Sequence, residues 1–522
     1  MGPSSERRGA AMMTKVITAV LFGLKGSLVK VEVDLARGFP GYNLVGLAGR
    51  TIRESGYRVR SAMVNGGYTY PAGRITVNLS PAQLRKEGSH FDLPIAVGLL
   101  ASMGEIPRAA LDGVAFLGEL SLDGKLVPVK GALPLTSTVA QKGIRKVILP
   151  KKNQEEASLE RKTQTYGAAT LGEVIRFLKG ERDILCQKTE VTGYGNGENA
   201  SVDFSDVYGQ ESVKRAMIIS AAGGHGLWMR GSPGVGKTMM ARRLPTILPP
   251  MSFAEMVEVT NIYSVAGLLS EELPLIEKRP FRYPHHTVTV AGLLGGGSYP
   301  QPGEFSLAHR GVLFLDELAQ FESRVLDALR QPLEEERVVV ARQGGAAIFP
   351  GKVIFVAASN PCKCGYLEEA PDRCTCSALE LAKYEKKLAL PFLDRIDLHI
   401  RVARGPVEVK EGEASMSSKE MRKMVIRARE MQRLRYGEKS PSRMLLNGQL
   451  GPRELQSYCK LGREEEKLLA EAYRGLGLSM RTCHKTVKIA RTIADIEGKK
   501  EILWEHIAEA LQYRGVRKGA GG

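Results

Sequence analysis

Gly231-Ser232-Pro233-Gly234-Val235-Gly236-Lys237-Thr238 and, farther along, Gly311-Val312-Leu313-Phe314-Leu315-Asp316-Glu317 decide how this chain is read. The first octet fits G-x-x-x-x-G-K-[ST]. Its glycines let backbone N–H groups converge on phosphate oxygens, Lys237 reaches the outer phosphates, and the Thr238 hydroxyl is placed to ligate Mg²⁺. The second stretch reads as a buried strand ending in two carboxylates. Asp316 is suited to hold the magnesium shell and Glu317 to orient an attacking water. Together they predict an enzyme that binds ATP with Mg²⁺ and hydrolyses it.

Working outward, Leu227 to Arg230 reads as the strand feeding the loop and Met239 onward as the helix leaving it, which is the context the motif requires. A helix is expected over 211–222, preceded by Val207-Tyr208-Gly209-Gln210. Val353 to Ala358 reads as another buried strand, ending in Ser359-Asn360-Pro361, where Asn360 is placed to contact a γ-phosphate or the attacking water; turn chemistry alone would also explain an asparagine before proline. Phe321 to Glu335 reads as one helix with Val325, Leu326, Leu329 and Leu333 on a face. Val338 to Ala341 and Ala346 to Phe349 flank Arg342-Gln343-Gly344-Gly345 as a hairpin with a basic tip. His285 and His286 invite a metal, but neighbours on an extended chain point apart and rarely chelate together. The glycines from 292 to 297 read as a loop or a turn.

Four of the seven cysteines cluster as Cys362-x-Cys364-Gly and Cys374-x-Cys376. Two such pairs can bring four thiolates around one structural Zn²⁺; reduced spare thiols or a redox pair are the alternatives. No water-activating carboxylate is evident beside them. Leu390 to His399, LPFLDRIDLH, sets Arg395 between aspartates, a pattern that is usually a surface ion pair.

A length of 522 residues implies several domains. With 43% hydrophobic and 25% charged residues the composition is that of a globular protein, and no apolar run approaches the roughly 18 residues of a membrane span. The opening MGPSSERRGAAMM lacks an apolar signal core, so the default expectation is a cytoplasmic protein without a membrane partner. A formal charge of +17 points to a polyanion such as DNA, because arrayed Lys and Arg gain from counterion release; a basic surface that only aids solubility is the alternative.

Four segments are expected. Residues 14–180 alternate in strand fashion at Val29, Val31, Val33 and Leu35 and at Ile75, Val77 and Leu79, with a buried helix over 91–103 and a strand over 146–150. Residues 181–201 are a glycine- and asparagine-rich linker. Residues 202–405 carry the nucleotide motifs and the cysteine pairs. Residues 415–514 are helical, with helices expected over 421–436, 453–461, 464–474, 480–497 and 504–513.

The phosphate loop with LFLDE, the SNPCKCG segment, LDRIDLH and SMRTCHKTVKIARTIADIEG resemble, in combination, the ComM/YifB family of magnesium-chelatase-like AAA+ ATPases, from about residue 14 to 514. The resemblance implies a multidomain α/β protein. Its parts would be an amino-terminal α+β domain sharing a fold with ribosomal protein S5 and the Lon protease domain, a central AAA+ P-loop domain, and a carboxy-terminal helical lid. It also implies an adenine cover at Val207 to Gln210, a sensor at Asn360, an arginine finger at Arg395 reaching a neighbouring subunit, and a lid arginine at Arg481. A hexameric ring and, for ComM proteins, an ATP-driven helicase that promotes branch migration on branched or single-stranded DNA follow in the same way. Lon-type proteolysis needs a serine activated by a lysine. His90 falls nearest the nucleophile position and Leu133 where the lysine would be, with Ser89 and Lys130 close by in sequence, so a binding or assembly module is expected instead. A protein-remodelling or metal-inserting ATPase is the alternative function, since chelatase motors share the core.

Overall fold

A computed structural model describes residues 13–187, 202–270, 272–342, 345–388, 392–404, 415–437, 445–476 and 478–514. Two sheets organise them. The first is a mixed eight-stranded sheet. From one edge it runs Cys186–Gln187, Gln164–Ala168, Lys146–Pro150, Val114–Phe116, Thr14–Phe22, Lys25–Ala36, Arg74–Ser80 and Gly41–Val45. Alternation in the sequence becomes one buried face here: Val31 sits opposite Leu79, Val33 opposite Val77 and Leu35 opposite Ile75. Against that face lies helix Asp92–Ser102, with every residue from Asp92 to Ala101 buried, which is why its sequence shows no polar stripe. The edge strand Cys186–Gln187 carries this sheet into the stretch read as a linker, whose residues 188–201 lie outside the described ones.

The second sheet has five strands, all parallel, in the order Phe281–Arg282, Val312–Leu315, Ile354–Ser359, Leu227–Arg230, Leu398–Arg401. Helices cover it, so its central strands are apolar throughout; Val312, Leu313, Phe314 and Leu315 are all fully buried. Each such side chain withdrawn from water contributes roughly 1.5–3 kcal/mol. Register then does the positioning. Arg230 lies opposite Ser359 and Leu315 opposite Ala357, so the three strands end at the same edge, one of them two residues earlier, and release the phosphate loop, Asp316 and Asn360 there.

The single helix expected over 321–335 is two, Ser323–Ala328 and Arg330–Glu335. Pro332 lacks the N–H that would bond Ala328, and its ring crowds that carbonyl, so the helix breaks at Leu329. The hairpin forms as Arg337–Arg342 paired with Gly345–Pro350; residues 343 and 344 at its tip lie outside the described ones. The glycines from 292 to 297 close a five-residue helix, Val290–Leu294, and open a two-residue strand paired with Gln301–Pro302. Arg342 Nε donates to the Gly297 carbonyl at 2.8 Å, tying the two hairpins together. The turn after the first strand packs on the same region. Phe22 meets the Tyr299 ring edge-on at 6.3 Å, and a Cβ on Gly23, whose φ is +63°, would stand 2.8 Å from Ala347 Cβ.

Helices Ser418–Tyr436, Pro452–Tyr458, Arg463–Leu476, Met480–Ile496 and Trp504–Gln512 complete the chain. All five contribute to a core shared with helix Glu211–Gly223 and the parallel sheet, the second through Leu455 and the third through the partly buried Leu468 and Leu469. A buried polar network crosses that core. His225 bonds Asp397 Oδ2 at 3.0 Å and Thr492 Oγ1 at 2.8 Å, and Asn447 donates to Thr492 Oγ1 and to Asp495. Lys485 Nζ lies 2.8 Å from Asp397 Oδ1. Burial opposes a charge on Asp397, yet Lys485 and His225 hold its carboxyl well below the usual range. No described helix is long and apolar enough to cross a membrane.

Candidate functional site

The loop between Leu227–Arg230 and helix Lys237–Ile247 is built on left-handed glycines, Gly234 at φ +82° and Gly236 at φ +88°. Nothing lies within 4 Å of where a Gly234 side chain would begin, so the apex is open to a ligand. Lys237 folds back over the loop, its Nζ donating to the Gly231 and Ser232 carbonyls at 2.6 and 2.9 Å and to Asn360 Oδ1 at 3.1 Å. Burial lowers the Lys237 ammonium, against the pull of Asp316, Glu369 and Glu317. Ser232 Oγ is buried without a partner among the described residues, a polar atom that a phosphate oxygen would satisfy.

Thr238 Oγ1 donates to Asp316 Oδ2 at 2.6 Å, which brings together two of the oxygen donors that a Mg²⁺ shell can take from the protein, phosphates and waters supplying the rest. Tyr283 adds its hydroxyl to the same carboxylate at 3.3 Å. Glu317 occupies the left-handed region at φ 49°, ψ 48°, a costly conformation for a residue with a Cβ, while its N–H donates to Asp316 Oδ1 at 2.9 Å. The residues present therefore fit a nucleoside triphosphate and its magnesium. Tyr283 escaped the sequence reading because only the histidines that follow it drew attention. Those histidines do not point apart as expected of neighbours on an extended chain: their rings lie 4.0 Å from each other, tilted by 38°, and His285 bonds Thr287 Oγ1 at 2.8 Å. Gln210, beside the exposed Tyr208, is left-handed at φ 60° and donates to the Ala403 carbonyl.

The segment that carries the four clustered cysteines meets the loop at Gly365, beside Pro233. Cys362 Sγ lies 3.3 Å from Cys364 Sγ and 3.9 Å from Cys374 Sγ, and all four sulfurs fall within 4.8 Å of one another, so the group could hold a metal ion. The segment between the pairs supplies Glu368, which meets Arg230 and Arg401, each at 2.8 Å, and Glu369, which meets Arg404 at 3.1 Å. No pattern in the sequence marks these two acids.

Arg395 and Arg481 converge on one carboxylate. Arg395 Nε donates to Glu334 Oε1 at 2.7 Å and Arg481 bonds the same oxygen. Their segments are joined again by Lys485, whose Nζ donates to the Asp394 carbonyl at 2.8 Å. Around them lies a cleft of about 560 Å³ that also borders Lys488, His484 and Gln449. Leu390 and Pro391, at the start of the LPFLDRIDLH stretch, lie outside the described residues.

In the first domain Ser89 donates to Glu119 rather than to a lysine, and the Lys130 side chain lies over Gly267 of the central domain. His90 is buried, bonds the Ala19 carbonyl at 2.8 Å, and is lowered to about 4 by desolvation, so it is neutral at physiological pH. Asp92 is buried beside Arg58, which grips it at 2.6 and 2.8 Å; burial nonetheless raises its carboxyl to about 6.

Three family models match the chain: magnesium chelatase, subunit ChlI, over residues 203–410; subunit ChlI of Mg-chelatase over 31–153; and magnesium chelatase, subunit ChlI C-terminal, over 415–514. Competence protein ComM of Haemophilus influenzae is 42% identical over 96% of this chain and 97% of its own length. The uncharacterized protein YifB of Escherichia coli is 40% identical over 96% and 97%. The magnesium-chelatase 38 kDa subunit of Cereibacter sphaeroides is 27% identical over 30% of this chain and 52% of its own. Matched over 96% of its length by the first two relatives, and over residues 203–410 by the magnesium-chelatase model, the chain belongs to the ComM/YifB family of magnesium-chelatase-like AAA+ proteins.

Proposed function

We propose that this protein is an ATP-hydrolysing motor that acts on DNA as a homo-hexamer, a branch-migration helicase serving recombination and natural transformation. One observation carries the ATPase part: Lys237, Thr238, Asp316, Glu317 and Asn360 meet at the edge where three parallel strands end. Bound Mg²⁺ would neutralise phosphate charge. Gly231 to Gly236 would wrap the phosphates with backbone N–H groups, and Lys237 would exchange its two carbonyl partners for phosphate oxygens. Thr238 and Asp316 would hold the metal. Glu317 would polarise the attacking water, and Asn360, already on Lys237, would bond the outermost phosphate.

Arg395 would act on the nucleotide of the adjacent subunit, released from Glu334 as that subunit docks, and Arg481, which shares that carboxylate, would couple hydrolysis to domain rotation from the lid. The carboxy-terminal helices would then serve as the lid, and the first domain, with a Lon-like fold, as a binding or assembly module. The competence name of the Haemophilus relative and the charge of +17 support DNA as the substrate. A cytoplasmic location fits that role. Hairpin 337–350 is the candidate DNA contact, with Arg342 beside its tip.

ATP turnover of the full chain, measured with and without branched, single-stranded or duplex DNA at low salt, tests the reading. Stimulation by DNA is expected. None at low salt refutes a DNA motor and leaves a protein-remodelling or metal-inserting ATPase. An Arg342→Ala protein that keeps wild-type strand displacement removes the hairpin from the mechanism.

A further inference from the structure

We propose that Cys362, Cys364, Cys374 and Cys376 hold one Zn²⁺ whose role is to clamp the phosphate loop and Asn360 in their working positions. The sulfur spacing fits the ion. Tetrahedral Zn–S bonds of about 2.3 Å set the sulfurs roughly 3.8 Å apart; the distances among Cys362, Cys364 and Cys374 are 3.3, 3.5 and 3.9 Å. The Gly365 amide donates to Cys362 Sγ at 3.2 Å, an N–H···S bond that orients and stabilises a thiolate ligand.

One chain connection and three contacts join this site to the nucleotide machinery. Asn360 stands two residues before Cys362, so the first ligand anchors the backbone that aims it. The helix Ala378–Leu388, which begins just after Cys376, returns Tyr384, whose hydroxyl donates to the Asn360 carbonyl at 3.0 Å. Gly365, at φ +89°, rests directly on the loop: a Cβ there would stand 2.4 Å from Pro233 Cδ. Arg230, at the end of the loop's own strand, also donates to the Pro361 carbonyl at 3.1 Å. A metal-ordered turn therefore presses on Pro233 from above while its flanks fix Asn360 from both sides.

The proposal rests on the nucleotide-site reading, and its test separates the two. Zinc per chain is measured on the purified full-length protein by mass spectrometry. Cobalt substitution is followed by thiolate-to-cobalt absorption, and affinity is measured with a fluorescent ATP analogue. One zinc per chain is expected, together with the cobalt band. Cys376→Ser should lose the metal and about tenfold in nucleotide affinity, the scale on which supporting contacts act at such sites. Gly365→Ala covers the case in which the cysteine variant fails to fold; it should keep its zinc and still lose affinity, because the added methyl displaces Pro233. Native protein that carries no zinc yet binds nucleotide overturns the proposal. A metal-free Cys376→Ser protein with wild-type affinity also overturns it, provided that Lys237→Ala is impaired. Unchanged affinity in Lys237→Ala overturns the nucleotide-site reading and the proposal with it.

Discussion

Asp397→Asn removes one charge from a buried pair while keeping the shape and an acceptor for His225. In the wild-type protein Lys485 Nζ lies 2.8 Å from Asp397 Oδ1, with only 11% and 13% of the two side chains exposed. Removing one partner of such a pair costs about 3–5 kcal/mol. The retained amide and the Asp394 carbonyl place this case near the lower end, about 3 kcal/mol. The pH dependence gives a second signature. Asp397 is held well below its ordinary range, so its contribution is complete at neutral pH and is lost only in acid, as pH falls through the folded-state value. Burial lowers the Lys485 ammonium, and Asp397 opposes that shift. Without Asp397 the folded state sheds the Lys485 proton at a pH where the unfolded chain, near 10.4, still holds it. The unfolded state then binds more protons, so the variant gains stability as pH rises, by up to about 1.4 kcal/mol per pH unit. Urea unfolding followed by tryptophan fluorescence reports on both halves of the contact, because Trp228 lies in the parallel sheet and Trp504 opens the last helix. A variant within about 0.5 kcal/mol of wild type at neutral pH, with no gain at alkaline pH, refutes the argument. Adding Lys485→Met should recover most of the loss, since an apolar side chain needs no partner there.

Glu317→Gln should bind ATP with near-native affinity while turnover falls by about 10²–10⁴-fold, read by steady-state hydrolysis beside a binding titration. Arg395→Ala and Lys237→Ala proteins should each be inactive alone and regain activity on mixing, because each supplies the half-site that the other lacks. DNA affinity should fall by about 10³-fold or more as monovalent salt rises from about 50 to about 200 mM, the response of a surface that neutralises at least six phosphates.

What the sequence made legible was local. The phosphate loop, the LFLD strand and the hairpin each depend on residues a few positions apart, and each forms where periodicity and turn chemistry place it. Pro332 was equally visible, but the apolar face drawn through Val325, Leu329 and Leu333 hid the break it causes. A two-residue edge strand such as Cys186–Gln187 has no period to detect. The meeting of Arg395 and Arg481 on Glu334 spans 61 and 147 residues, a separation that no spacing rule reaches. Glu368 and Glu369 look like solvated acids in the sequence and become partners of Arg230, Arg401 and Arg404 only when the cysteine segment folds over the loop.

Phe22 and Gly23, wedged against Tyr299 and Ala347, give the first domain a mechanical part in whatever the hairpin does. There is no room at Gly23 for even a methyl group, so the turn and the hairpin cannot slide past each other as two lubricated surfaces would. If hairpin 337–350 moves as the proposed motor requires, it either carries the eight-stranded sheet with it, as a handle follows its blade, or unseats that turn. In the first case the load on the hairpin would be shared by a second folded body, and in the second the turn would act as a detent.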